Sequence, residues 1–172
     1  MDVQNDWVKW NAGYRLPTEA EWEKAARGAA AGWRFPWADA DTITHSRANY
    51  KSSADYAYDI SSTRGFHPNF QSGGYPYTSP VGSFPSEVNG YGLHDMAGNV
   101  WKWCWDWLDG SYYSSSPATD PRGPASGSYR VFRGGSWDDV AIYCRVASRY
   151  RSWPGGENYE VGFRSVLPPD LP

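Results

Sequence analysis

Two rhythms of apolar positions stand out along this chain, separated by long stretches with neither. Between Arg15 and Gly28 (RLPTEAEWEKAARG), Trp22, Ala25 and Ala26 recur at helical spacing, with Glu19, Glu23 and Lys24 largely off that face. Thr18 and Glu21 have the spacing of a capping box, in which each side chain accepts from the other residue's backbone N–H. Gly28 is a natural stop, and Pro17 is placed to pack on Trp22. The pattern predicts a scaffold helix. Upstream, Trp7 and Trp10 lie three apart, as for one helical turn with a buried side. From Trp101 to Trp107 (WKWCWDW) the rhythm changes to two, which predicts a strand with all four tryptophans on one face, read as core.

Between these elements, Ala29 to Ser86 shows little regular pattern. Trp33, Phe35, Pro36 and Trp37 suggest an aromatic knot. A Ser/Gly/Tyr-rich excursion opens at Asn49-Tyr50 and ends at Thr78–Gly82. So long a loop in a compact domain needs its own contacts or a bound ion, and Tyr50, Tyr56, Tyr58, Tyr75 and Tyr77 are available for the contacts. After the strand, a Pro/Ser/Gly linker from Ser114 to Ser128 leads into Arg130–Val166. No internal repeat or second domain is visible, so one domain is expected over residues 1–172.

The segment from Arg130 to Val166 interleaves two kinds of residue. Arg133–Trp137 (RGGSW), Ala141, Cys144-Arg145, Ala147, Arg149, Pro154 and Gly162–Arg164 (GFR) look fixed by packing, small residues allowing close backbone approach beside a large ring. Between them fall Phe132, Asp138, Asp139, Val140, Ile142, Tyr143, Ser148, Tyr150, Ser152, Trp153, Glu157, Asn158, Tyr159 and Glu160, with no period of 2 or 3.6. A frame carrying irregular, aromatic-rich decoration reads as a recognition surface. Its carboxylates favour basic or hydrogen-bond-donating partners. The bland alternative is an ordinary surface whose substitutions mean nothing in particular.

Composition narrows the classes. Phe, Trp and Tyr make up 17% of the 172 residues, with 11 Trp, while mean hydropathy is -0.70. The core must therefore rely on a few large rings. Eighteen glycines and 13 prolines indicate a loop-rich fold. The formal charge of -3 leaves no basic footprint for nucleic acid. No apolar run is long enough to cross a bilayer, and the N-terminus lacks a signal-peptide pattern, though this does not settle the compartment. Cys104 and Cys144, the two cysteines, could form one disulfide or remain as two buried thiols. Arg145, Arg149 and Arg164 are read as binding backbone carbonyls rather than an anion. Asp95, Asp106 and Glu21 carry little weight as an acid–base set.

Four motifs in order, RLPTEAEWEKAAR (15–27), YGLHDMAGNVWKWCWDW (91–107), RGGSW (133–137) and GFR (162–164), resemble the formylglycine-generating-enzyme, or sulfatase-modifying-factor, family over roughly residues 8–167. The resemblance implies an irregular, loop-rich α+β fold of the C-type-lectin type, with the N-terminal part of such domains missing or minimised. The family's oxidases use a copper-binding cysteine pair. Carried over, the second cysteine is Cys144, but the first position is Asp139, and one thiolate beside a carboxylate does not make a two-sulfur copper(I) site. The chain is therefore expected not to be an enzyme. The family's sulfoxide synthases use iron-binding histidines; His45, His67 and His94 have no such spacing and read as structural. The family's structural calcium ions place Asn49 and Asn99 at matching ligand positions. Against them, the expected glutamate is Lys102 and an expected aspartate is Gly73, with Asp55 and Asp59 as substitutes. No cofactor is required, and a structural calcium remains open.

The frame RGGSW…A..CR.A.R…P…GFR is also similar to the variable regions of proteins diversified by diversity-generating retroelements, several of them on this lectin-like fold. That likeness implies a variable ligand-binding segment over 130–166, taking a protein or glycan ligand on a cell surface, with a virion or cell surface as its place. The alternatives are a copper-dependent formylglycine-generating oxidase using Cys144, or a catalytically inactive relative serving in a larger assembly.

Overall fold

The computed structural model describes residues 10, 12–29, 31–85 and 89–167. The Trp7 half of the predicted N-terminal turn lies outside the described residues. Trp10 meets the ring of Trp105 edge-on at 5.6 Å, with the guanidinium of Arg122 over its own ring at 4.1 Å.

Helix α1 runs Glu19–Arg27. Its capping box forms as predicted: Thr18 Oγ1 accepts from the Glu21 N–H at 3.2 Å, and the Thr18 N–H donates to Glu21 Oε2 at 2.8 Å. Gly28 ends the helix in the left-handed conformation, φ 54°. Trp22 and Ala26 are buried and Ala25 partly so. The expectation fails at Glu19, which is buried: three residues before Trp22 and seven before Ala26, it lies on the apolar stripe itself. Long-range charge offsets the burial of its carboxylate. Arg149 grips both carboxylate oxygens at 2.6 and 2.7 Å, and Arg133 Nη1 adds a third contact at 2.6 Å. Arg133, fully buried, also donates to Glu23 Oε2 at 2.5 Å and to the Val146 carbonyl at 2.6 Å. The helix is thus riveted to the decorated segment.

That segment and the tryptophan strand build one sheet. Strands β1 (Trp101–Trp107), β2 (Arg130–Arg133), β3 (Arg149–Ser152) and β4 (Val161–Gly162) lie in the order β3-β2-β1-β4. β2 pairs antiparallel with β1 and β3, and β4 joins β1 in parallel. Between the pairs Trp103↔Phe132 and Trp107↔Arg130, β1 advances four residues while β2 advances two, so β1 bulges.

The sheet is covered on both faces. Cys104 and Val131 join Trp22, Ala26, Met96 and Val146 in the layer under α1. The alternating tryptophans sit on the other side, where Trp101 and Trp103 contact the ring of Phe132, and Trp105 and Trp107 contact the guanidinium of Arg130. Trp101, Trp105 and Trp107 are buried and Trp103 partly so. They are interior, yet they form a plate facing away from the helix rather than the helix-side core.

A second cluster joins Phe35, Trp37, Ile43, Ala48 and Tyr50 of the long loop to Ala97, Ala141 and Cys144. The aromatic knot is real: Phe35 and Trp37 stack at 5.2 Å. Beyond a four-residue helix α2 (Pro68–Gln71), the excursion is held by its own polar contacts. Buried Asp59 accepts from Tyr50 Oη (2.6 Å), Ser52 Oγ (3.0 Å) and the Ser53 N–H (2.9 Å). His45 and His67 are buried structural residues, His67 Nε2 lying 2.7 Å from the His45 carbonyl. Gly98 locks loop to strand: its φ is +73°, and a Cβ there would fall 2.3 Å from the Asn49 carbonyl oxygen.

Candidate functional site

The decorated segment supplies β2, β3, β4 and the turns between them. Five of its rings face outward: Phe163, read from the sequence as part of the packed frame, is 71% exposed, and among the decoration Tyr143 is 37% exposed, Tyr150 52%, Trp153 59% and Tyr159 65%. Each of these last four rests on another ring. Trp101 carries Tyr150 at 5.5 Å and Tyr143 at 6.1 Å, and these two rings lie 6.0 Å apart. Tyr159 meets Tyr75 at 5.4 Å, which in turn meets buried Trp137 at 5.2 Å. Trp153 meets Tyr129 at 4.5 Å. Exposed Tyr75, which the sequence pattern placed among loop-holding tyrosines, thus belongs to this surface; only its non-local contact reveals it.

Two expected surface residues are interior. Phe132 is 3% exposed, because it lies on central strand β2 with its ring 4.0 Å from that of Trp103. Ser148 is buried with its hydroxyl donating to the Ile142 carbonyl. Val140, Ile142 and Ser152 are half-buried, while Glu157 and Asn158 are exposed. Asn158 also folds its own turn, accepting from the Glu160 N–H at 2.8 Å.

The carboxylates gather around Ser136. Asp139 Oδ2 accepts from the Ser136 N–H at 3.0 Å and from Ser136 Oγ at 2.5 Å, and Glu160 Oε2 lies 3.3 Å from the same hydroxyl. Asp138 pairs with Lys51 at 3.4 Å. Burial pushes the Asp139 carboxyl above its ordinary range, opposed by the Ser136 hydrogen bonds. Burial, then the charges of Asp139 and Asp138, does the same to Glu160.

Both cysteines are buried and neither is in a disulfide, so the disulfide alternative is corrected. Cys144 packs in the loop-side cluster and Cys104 in the helix-side one, on different bodies of core. Cys144 lies so close under Gly135 (φ +73°) that a Cβ there would fall 3.0 Å from Sγ. Burial raises the Cys104 thiol well above its usual range, which keeps it protonated and a poor soft-metal ligand.

The calcium positions carry a donor set that does not fit the ion. Asn99 Oδ1 accepts from the Ser79 N–H at 2.9 Å, and Asn49 Nδ2 donates to the Tyr77 carbonyl at 2.7 Å. The buried ammonium of Lys102 donates to the Gly98 carbonyl at 2.7 Å, placing a fixed positive charge there. Asn49 Oδ1 is buried without a partner. One neutral oxygen of that kind suits a water, whereas calcium needs six or more oxygens with carboxylates among them. Asp59 is saturated by its own donors, and Asp55 is exposed. Among the described residues, no group of three or more His, Cys, Asp or Glu side chains is placed to hold a metal ion.

Arg145 and Arg164 bind the carbonyls of Ile142 and His94, as read, whereas Arg149 binds Glu19. Glu21, Asp95 and Asp106 serve separate structural ends: Glu21 caps α1 and pairs with Arg15, Asp95 accepts from the Gly82 N–H, and Asp106 from the Glu19 N–H at 2.6 Å. Asp106 lines an open cleft of about 590 Å³ between α1 and Tyr112–Pro121, on the helix side of the sheet. Burial raises its carboxyl to about 7, opposed by the Glu19 N–H. A carboxyl raised in the folded state favours folding while it is protonated, and stability falls as pH climbs from about 4 to about 7. Asp106→Asn keeps the hydrogen bond to Glu19 and removes the charge. It should match wild type in urea unfolding near pH 4 and exceed it by on the order of 2–4 kcal/mol at pH 8. An equal gap at both pH values would refute this.

The model of the sulfatase-modifying factor enzyme 1-like domain matches residues 2–168. The chain belongs to this family. It is 42% identical over 168 residues to the formylglycine-generating enzyme of Streptomyces coelicolor, covering 96% of this chain and 50% of the relative. It is 35% identical over 174 residues to the inactive C-alpha-formylglycine-generating enzyme 2 of Mus musculus, covering 91% and 46%. Among solved structures it resembles Treponema denticola variable protein 1, with a TM-score of 0.66 and 36% identity over 92% of this chain and 49% of that one. The chain thus spans about half the length of these relatives. Within the sulfatase-modifying-factor family it keeps the helix, the tryptophan strand and the Arg-Gly-Gly-Ser-Trp turn on a loop-rich α+β frame. Among the described residues, no helix is long and apolar enough to cross a membrane.

Proposed function

We propose that this chain is a ligand-binding protein whose decorated segment, residues 130–166, forms a variable surface on a single C-type-lectin-like domain. One observation carries the reading. Tyr143 and Tyr150 project from buried Trp101, Trp153 from half-buried Tyr129 and Tyr159 from exposed Tyr75, and none of the four belongs to either core cluster. Large, stiff, half-wet rings supply contact area at low entropic cost. The likeness to a protein named for its variability supports it. The partner would be a protein or glycan on a cell surface, met from a virion or another cell surface, with no cofactor required.

Randomising Tyr143, Tyr150, Trp153, Glu157 and Tyr159 together tests this. Most members should fold with Tm within about 5 °C of the parent, as surface substitutions do, and different members should select different ligands. A library that is largely unfolded, or whose members all bind alike, would refute the reading.

The second reading, an oxidase of the formylglycine-generating type, is favoured by the names of the relatives. The residues oppose it: Asp139 stands at the first cysteine's place, Cys144 is packed in a core cluster, and Cys104 belongs to another. With copper(I) and a cysteine-containing sulfatase peptide we expect no turnover. Turnover lost in Cys144→Ser would install the oxidase instead.

A further inference from the structure

Beyond the rings, the proposed surface has a polar feature. The carboxylates of Asp139 and Glu160 converge on one hydroxyl, Ser136 Oγ, and Asp138 adjoins them in the chain. Like charges held this close cost free energy unless something positive offsets them. Lys51 offsets Asp138 from 3.4 Å; among the described residues, Asp139 and Glu160 have no Lys or Arg ion-pair partner. Burial, and after it the neighbouring carboxylates, hold both carboxyls above their ordinary range.

The surroundings favour a cation. Trp101, whose backbone N–H donates to the Glu160 carbonyl at 2.6 Å, carries Tyr143 and Tyr150, while Trp137, next to Ser136, carries Tyr75 and through it Tyr159. The carboxylates are therefore flanked by two groups of rings whose electron-rich faces attract an ammonium or guanidinium. A neutral sugar would stack on the rings but leave the carboxylate repulsion in place. A lysine or arginine side chain satisfies both.

We infer that this face recognises a basic protein segment, one of whose lysine or arginine side chains seats beside Asp139 and Glu160 between the Tyr143/Tyr150 and Tyr75/Tyr159 rings. The inference rests on the binding reading above and names its partner class. Charge complementarity here steers encounter and selects partners more than it adds raw affinity, so the preference should weaken with salt.

The test is selection from a library of short random peptides displayed on phage, run against the wild-type chain and against the Tyr143→Ala/Tyr150→Ala/Tyr159→Ala variant. Peptides enriched on wild type and lost on the variant should carry arginine or lysine. Synthetic copies with that residue replaced by neutral citrulline or glutamine should bind about tenfold more weakly. Glu160→Gln should weaken the basic peptides by about three- to tenfold and shrink the penalty of the neutral replacement, as expected for a pair that interacts directly. Ring-dependent peptides that are neutral or acidic, a glycan array bound in their place, or a penalty unchanged by Glu160→Gln would overturn the cation inference and leave the binding reading standing. Enrichment of nothing that depends on the rings would overturn both.

Discussion

Arg133→Met should lower the free energy of unfolding by about 3 kcal/mol, read as a drop in urea midpoint at unchanged slope. The guanidinium is fully buried and ties three elements at once: Glu19 and Glu23 of α1, the carbonyl of Val146 in the decorated segment, and the sheet that carries it. It also lies over the ring of Trp22 at 5.2 Å. Methionine fills much of the volume but donates nothing, leaving the Val146 carbonyl and part of Glu19 unsatisfied. Arg149 still holds Glu19 and Arg27 still holds Glu23, which keeps the loss at the lower end of the range for breaking a buried pair. Arg149→Met, at a partly exposed site but holding both oxygens of buried Glu19, should cost about 2 kcal/mol, Arg133 retaining one contact to the carboxylate. An Arg133→Met protein within about 1 kcal/mol of wild type would show that the helix is held by apolar contact alone.

Phe132→Ala should cost about 3–5 kcal/mol, whereas Tyr150→Ala, its cross-strand neighbour, should cost about 1 kcal/mol or less. The two rings lie on the same side of the sheet. Phe132 is on central β2, wedged against Trp103 and Trp101; Tyr150 is on edge strand β3 with half its surface in water. The contrast marks where frame ends and decoration begins. Comparable losses at both positions would mean that the outer rings are part of the core after all, and the binding reading would fail with them.

Much of the frame was legible because its signals are local. The capping box of Thr18 and Glu21, the left-handed Gly28 and the period of two from Trp101 to Trp107 each need only a few neighbouring residues. Alternation says which residues share a face; it does not say which layer that face meets. In a sheet buried on both sides, the apolar rhythm could not show that Cys104, rather than a tryptophan, faces the helix. Glu19 illustrates the other limit: its partners lie 114 and 130 residues away, and no helical period announces them. Phe132 and Ser148 were misplaced for a related reason. An irregular run of residue types reads as free surface, but a short central strand and a hydroxyl-closed turn bury members of such a run without leaving a period.

Neither thiol takes part in a disulfide, which bears on the redox conditions the fold tolerates. Each is enclosed by its own packing, on a separate body of core, and neither contributes a covalent tie that a reducing environment could undo. Glutathione inside a cell and dissolved oxygen outside it act on sulfur that can be reached, and these sulfurs cannot. Among the described residues, the fold therefore rests on no bond between these sulfurs, under reducing and oxidising conditions alike.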